Sequence, residues 1–323
     1  MVSLDPDAIV ERRRIKRRLS VWRFLAILAV VAAAVAVAYA TSGAGLPFVR
    51  KAHIAAVDVD GLITGRRSRV ELLEKIGKSS AAKAVIIRIN SPGGTTAGSE
   101  ALYQAIRELA EEKPVTAVME TVAASGGYAI AAASDHIVAR GNTITGSIGV
   151  IFQWARVQDA LNSLGIEVNE VKSGPLKAEP SLFSEPSEQV RLVTAAMVRD
   201  AHEWFVQLVA ERRPFDLATA RRLADGRVYT GRQALDAKLI DSIGGEDAAK
   251  KWLVDTKSID EDLEIVEWDT DDLDGLSVGG RMVVAIAHVL GFDTVAGRFG
   301  LDLTAPGLRL DGLLSLWHPE LQR

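Results

Sequence analysis

The 323-residue chain has no cysteine and only five histidines. The first absence excludes a thiol nucleophile and leaves disulfides no part in stability. The second matters because no histidine lies in a glycine-rich or otherwise site-like setting, so a nucleophile here needs a different base. A lysine made neutral by burial is the main substitute. An excess of basic charge is missing as well: 38 Lys and Arg stand against 42 Asp and Glu, a net charge of −4, which argues against a nucleic-acid partner. No internal repeat is visible, so the chain reads as a single catalytic unit.

What is present is concentrated in four short segments. In Ala123-Ala124-Ser125-Gly126-Gly127-Tyr128, one serine stands among small residues, just past the apolar run Val115–Met119 and at the start of the helix-like run Tyr128–Ala133. Such a strand-to-helix turn exposes a hydroxyl at a helix N-terminus, where backbone N–H groups can hold a developing oxyanion. The same run also suits a tight turn or a close helix–strand contact. In Ser91-Pro92-Gly93-Gly94, two glycines follow the strand-like Ala84–Ile89 and precede a helical pattern over Ala97–Glu112. They sit at the carboxyl end of a strand, where open α/β folds place ligands. They fit either a backbone donor site for a substrate carbonyl or a type II turn after Pro92. In Thr145-Gly146-Ser147-Ile148-Gly149, after the strand-like His136–Ala139, Ser147 fits an orienting hydroxyl or a turn serine. Finally, Ser173-Gly174-Pro175-Leu176-Lys177 lies in a Pro-rich loop between a strand-like Ile166–Val171 and a long helix over Ser187–Arg213.

Together these segments resemble the signal peptide peptidase family, membrane-bound serine proteases that share a fold class with crotonases and the Clp-type proteolytic subunit. Gly226-Arg227-Val228-Tyr229-Thr230-Gly231, followed by Lys238-Leu239-Ile240-Asp241, is similar to the family's closing helix and strand. The match runs from about His53 to about Trp252. The resemblance implies an α/β fold of repeated β-β-α units, with a parallel sheet flanked by helices. By the same resemblance, Ser125 matches the nucleophile, Lys177 the general base and Ser147 the serine that orients the lysine. The N–H groups of Gly126 and of the Gly93/Gly94 turn match the oxyanion and substrate-binding region, and neither metal nor cofactor is involved. Val122, Leu176 and the small Ala129 depart from the family pattern in ways that adjust the pocket rather than the chemistry. Leu176, Ala178, Leu182 and Phe183 suit an apolar pocket around Lys177, and Glu179 is expected to face solvent, away from the lysine.

The N-terminus sets the expected compartment. A basic block, Arg12 to Arg18, precedes a stretch from Phe24 to Val49 with no charged residue. That stretch is longer than the roughly 20 apolar residues that span a bilayer, and the basic flank predicts a cytoplasmic N-terminus. Ala38-Tyr39-Ala40 resembles a signal-peptide cleavage site, but the apolar run exceeds a signal core of roughly 7–15 residues, and an uncleaved anchor is favoured. The expected organisation is a cytoplasmic segment 1–20, a transmembrane anchor 21–45, and a catalytic domain 50–257 outside the cytoplasmic membrane. An acidic linker and apolar extension, 258–323, follows, in which Ile265, Val266 and Trp268 also fit an edge strand. A chain with one set of motifs cannot easily enclose a hydrophobic peptide alone. The resemblance implies ring-like homo-oligomers in which serine and lysine meet across a subunit boundary, with hydrophobic peptides as substrates. The rival reading is a non-catalytic membrane scaffold that retains the fold.

Overall fold

The computed structural model describes residues 19, 22–23 and 51–270, together with the backbone of 314–316. Of these, residues 52–270 and 314–316 belong to one compact unit, and the description below concerns it. The expected anchor, residues 21–45, lies outside the described residues except for 22 and 23. Among the described residues no helix is long and apolar enough to cross a membrane.

The unit is an α/β fold around a mostly parallel, mixed sheet. Strand β1 (His53–Asp60) pairs in parallel with β2 (Ala82–Ser91), and β2 pairs in parallel with β4 (Val115–Ala124). These strands are near-continuous runs of Val, Ile and Ala buried on both faces, as parallel strands between helical layers require. The ten-residue β4 carries two partners on the same edge. Thr116 to Met119 pair with β5 (His136–Ala139), and Val122 to Ala124 pair with β6 (Ile144–Gly146). β7 (Val228–Thr230) adds antiparallel to β6, β8 (Ser242–Ile243) parallel to β5, and β9 (Ile265–Glu267) parallel to β1 as an edge. The short strand β3 (Gly93–Thr95) stands outside this sheet and pairs antiparallel with β10 (Leu314–Leu316).

Eight helices accompany the strands in the described part. In chain order they are α1 (Arg67–Gly77), α2 (Thr96–Glu112), α3 (Gly126–Ala132) and α4 (Gln158–Ser163). They continue with α5 (Glu188–Arg212), α6 (Leu217–Leu223), α7 (Gly231–Asp236) and α8 (Glu246–Lys257). Side chains fix several starts: Thr95 accepts from the Gly98 amide, Ser187 from Val190 and Asp216 from Thr219, each satisfying an orphan donor. The larger core lies between one sheet face and α1, α2, α3 and α5, with Tyr128 and Phe205 as its largest fully buried side chains. A smaller core on the other face packs α8, through Ala249 and Leu253, over Ile54, Ile86 and Val138.

One expectation changes. Ile166–Val171 forms no strand: the segment has strand-like composition but no neighbouring strand, and Ile166, Val168 and Val171 are all exposed. In the acidic stretch the edge-strand reading holds: β9 joins the sheet edge and Trp268 is buried.

Candidate active site

Ser125 stands at the junction of β4 and α3 with φ 54° and ψ −117°. A non-glycine residue in that region is strained, and such strain persists only where the surroundings dictate it. Here they do: its amide donates to the Gly146 carbonyl at 2.7 Å and its carbonyl accepts from the Ala129 amide at 3.0 Å. Gly127 must be glycine, because a Cβ there would lie 2.7 Å from the Ser91 carbonyl oxygen. Helix α3 is therefore pressed against the end of β2, which brings Gly126 and the Ser91–Gly94 segment to one place. The expected exposed hydroxyl is not found: Ser125 is only 1% accessible. The Gly146–Gly149 segment contacts it at both ends: Gly146 takes its amide, and the Ser125 hydroxyl reaches the Gly149 carbonyl at 3.5 Å.

Ser147 lies on that segment, also with positive φ (49°), its amide bonded to the Arg227 carbonyl at 2.8 Å. It is brought beside Ser125 through their shared neighbour Gly146. Gly93 and Gly94 form β3. Gly93 has φ 107°, and its N–H goes to the Ser91 hydroxyl at 3.1 Å, so that donor is already engaged. A Cβ on Gly94 would fall 1.9 Å from the Ile63 carbonyl oxygen, so only glycine allows the bridge to Ile63. On its other side β3 receives an extended segment, with Leu314 opposite Thr95, Ser315 opposite Gly94 and Leu316 opposite Gly93. Ser125, Gly126, Ser147 and the β3 glycines thus gather at the carboxyl ends of β2, β4 and β6.

Lys177 does not join them within the chain. It is exposed, and among the described residues no hydrogen bond joins its ammonium to Ser125 or Ser147. The apolar pocket expected around it is absent from its own chain: Leu176 and Leu182 are themselves exposed. The cause is the arm that carries it. Between Ile151 and Ser187 only Ser181 is buried, and α4 buries nothing. Glu179 does not face solvent as expected. Lys172 holds its carboxylate at 2.8 Å, the Ser181 amide donates to it at 3.0 Å, and the Lys172 contact keeps its pKa below the usual carboxylate range.

The histidines of the described chain are occupied structurally. His53 stacks on Trp268, whose indole N–H meets its Nε2 at 3.0 Å. His136 stacks on Trp252, and burial lowers its pKa. His202 contacts the Ala224 carbonyl at 2.8 Å. One feature escaped sequence reasoning. A cleft of about 680 Å³ opens beside Gly149, lined among others by Val150, Phe152, Trp154, Val198 and His202. Its walls come from the arm and from α5, segments joined only by the fold.

The model of peptidase family S49 matches residues 107–260. A putative protease of Synechocystis sp. is 36% identical over 218 residues, covering 67% of this chain and 78% of that protein. A putative protease of Methanocaldococcus jannaschii is 33% identical over 241 residues, or 73% and 77% of the two chains. The chain belongs to peptidase family S49. As an S49 serine peptidase it is also similar to a putative signal peptide peptidase SppA of Enterococcus faecium, 37% identical over 203 residues, covering 62% of this chain and 58% of that one. The resemblance first seen in five short motifs thus extends over about two thirds of the chain.

Proposed function

We propose that this S49 peptidase is a membrane-anchored endopeptidase that degrades hydrophobic peptides, such as released signal peptides, through an acyl-enzyme on Ser125. The strained backbone of Ser125 between β4 and α3, beside β3, carries the reading. β3 accepts an extended segment in antiparallel register, the way a peptide adds to a strand edge. In the proposed reaction the Ser125 hydroxyl oxygen bonds to the scissile carbonyl carbon while its proton passes to the Lys177 amine. The developing oxyanion is held by the Gly126 and Gly94 N–H groups. The lysine then gives the proton to the leaving amine, and water hydrolyses the ester by the same route in reverse. Ser147 orients the lysine. The apolar walls of the cleft beside Gly149 suit a hydrophobic side chain.

Lys177 serves the Ser125 of a neighbouring protomer in this proposal. The support is the arm: it buries almost nothing against its own chain. The split partnership of β4 fits a fold of the Clp and crotonase kind. The basic block and the uncharged run at residues 24–49 support a single-pass protein with a cytoplasmic N-terminus and the catalytic unit outside the cytoplasmic membrane.

A fluorophosphonate probe tests the chemistry. Ser125 should be labelled, and Ser125→Ala should lose both labelling and peptide hydrolysis; an unlabelled wild-type protein would favour the scaffold reading. Mixing inactive Ser125→Ala and Lys177→Ala proteins under subunit exchange tests the shared site. Part of the activity should return, because some boundaries then pair an intact serine with an intact lysine. Mixed oligomers that form and stay inactive place the pair within one chain.

A further inference from the structure

The segment 170–181 contains a second lysine whose partners are fully accounted for. Lys172 Nζ lies 2.7 Å from Glu170 Oε2 and 2.8 Å from Glu179 Oε1. The other oxygen of Glu179 accepts from the Ser181 amide at 3.0 Å. The carboxylate is well enclosed, its side chain 12% exposed on an arm that is otherwise open to solvent. Lys177 lies between these groups in sequence and two residues from Glu179. Its amide is bonded to the Gly174 carbonyl at 3.2 Å, and the next residue, Ala178, has φ 58°. Its ammonium has no ion-pair partner among the described residues.

This arrangement separates two lysines that would compete for one carboxylate. A carboxylate in contact with a lysine stabilises the ammonium form, and an ammonium cannot accept the serine proton. Glu179 is the carboxylate nearest in sequence to Lys177. Of the other acidic groups on the arm, Glu170 is also on Lys172, Asp159 is on Arg156, and Glu185 is on Arg191. Glu167 lies further back in the chain.

We propose that Lys172 is a positioning residue for catalysis: it sequesters the Glu179 carboxylate so that Lys177 is left unpaired and able to act as base. The inference rests on the assignment of Lys177 as base. Lys172 touches neither substrate nor the reacting atoms; it acts on Lys177 by denying it a counter-ion. Loss of Lys172 frees two carboxylates, only one of which is two residues from the base. Their effects are therefore separable.

The experiment uses the full-length protein, a fluorogenic hydrophobic peptide and the rate of fluorophosphonate labelling at Ser125. Lys172→Met should lower kcat and the labelling rate roughly tenfold, because the released Glu179 carboxylate would hold the base in its ammonium form. KM should stay unchanged, because no substrate contact is removed. Lys172→Arg should retain activity, as it keeps the charge that holds Glu179. Glu179→Gln alone should be active. The double variant Lys172→Met/Glu179→Gln should recover most of the lost kcat, whereas Lys172→Met/Glu170→Gln should not. Lys172→Gln repeats the test should the methionine variant fold poorly. Wild-type kcat in both Lys172→Met and Lys172→Gln overturns the inference, as does a double variant with Glu179→Gln no better than Lys172→Met. Lys177→Ala is measured in parallel: if it is active, the assignment of the base fails; if it is inactive while the Lys172 variants behave as wild type, only the role of Lys172 fails.

Discussion

Replacing Ser125 by glycine should cost less stability than an otherwise comparable glycine one residue earlier. The comparison is between Ser125→Ala and Ser125→Gly, which both lack the hydroxyl, so only the Cβ differs. The reference is Ala124→Gly, at a neighbour that is fully buried in β4 and has no positive φ. At position 124 the glycine should cost about 0.5–1 kcal/mol in backbone entropy and about 0.8 kcal/mol for the lost buried methyl, roughly 1.5 kcal/mol together. The same two losses apply at position 125, which is 1% accessible. There they are offset by relief of a backbone held at φ 54°, ψ −117°, a strain of about 1–3 kcal/mol. The Ala-to-Gly step at 125 should therefore be about neutral to slightly stabilising, and the two steps should differ by about 2 kcal/mol. For a unit of this size that separates the two melting shifts by about 4–8 °C. Denaturant unfolding and thermal melting of the variants give the difference directly. If the two glycine steps cost the same, the conformation of Ser125 stores no strain.

Two further outcomes follow from local geometry. Gly94→Ala should destabilise the unit by about 2–3 kcal/mol and lower peptide hydrolysis, because its Cβ would fall 1.9 Å from a backbone oxygen that has no flexible end to move; a melting curve and kcat/KM that match wild type would contradict this. His136 has its pKa lowered by burial, so below its unfolded value near 6.5 the unfolded state binds more protons than the folded state. Its contribution is present above that pH and is lost as pH falls below it, so stability should decline from pH 7 to pH 5 and the slope should flatten in His136→Gln.

The parts of the site that were legible are those built from contiguous residues. Ser125 at a strand-to-helix junction and the Gly93–Gly94 pair at the carboxyl end of β2 could be anticipated, because a small residue beside an apolar run has few structural uses. The segment Ile166–Val171 misled for the complementary reason: its β-branched residues carry strand propensity, but a strand exists only with a partner. The Ser125 hydroxyl meets the Gly149 carbonyl, twenty-four positions away, and no local pattern reports it. The pairing of β3 with β10 joins residues more than two hundred positions apart. Glu179 was judged as a neighbour of Lys177, although Lys172 lies seven positions before it with the opposite charge. That signal was present and could have been weighed. An apolar setting for Lys177 was inferred from flanking residues, yet a flank two residues long on an exposed arm has no core to turn toward.

The exposed arm divides the chain into regions of unequal durability. β1, β2 and β4 are buried on both faces, and their amides open only when most of the unit opens. The arm, with Ser181 as its one buried residue between 151 and 187, opens at far smaller free energies. Ser125 belongs to the first region and Lys177 to the second. Warming would then silence the peptidase while its sheet is still intact, through loss of order in a segment that contributes little to the melting transition. Improving the core would leave that operating limit where it is; extending the useful temperature range calls for proline substitutions or a cross-link within the arm itself.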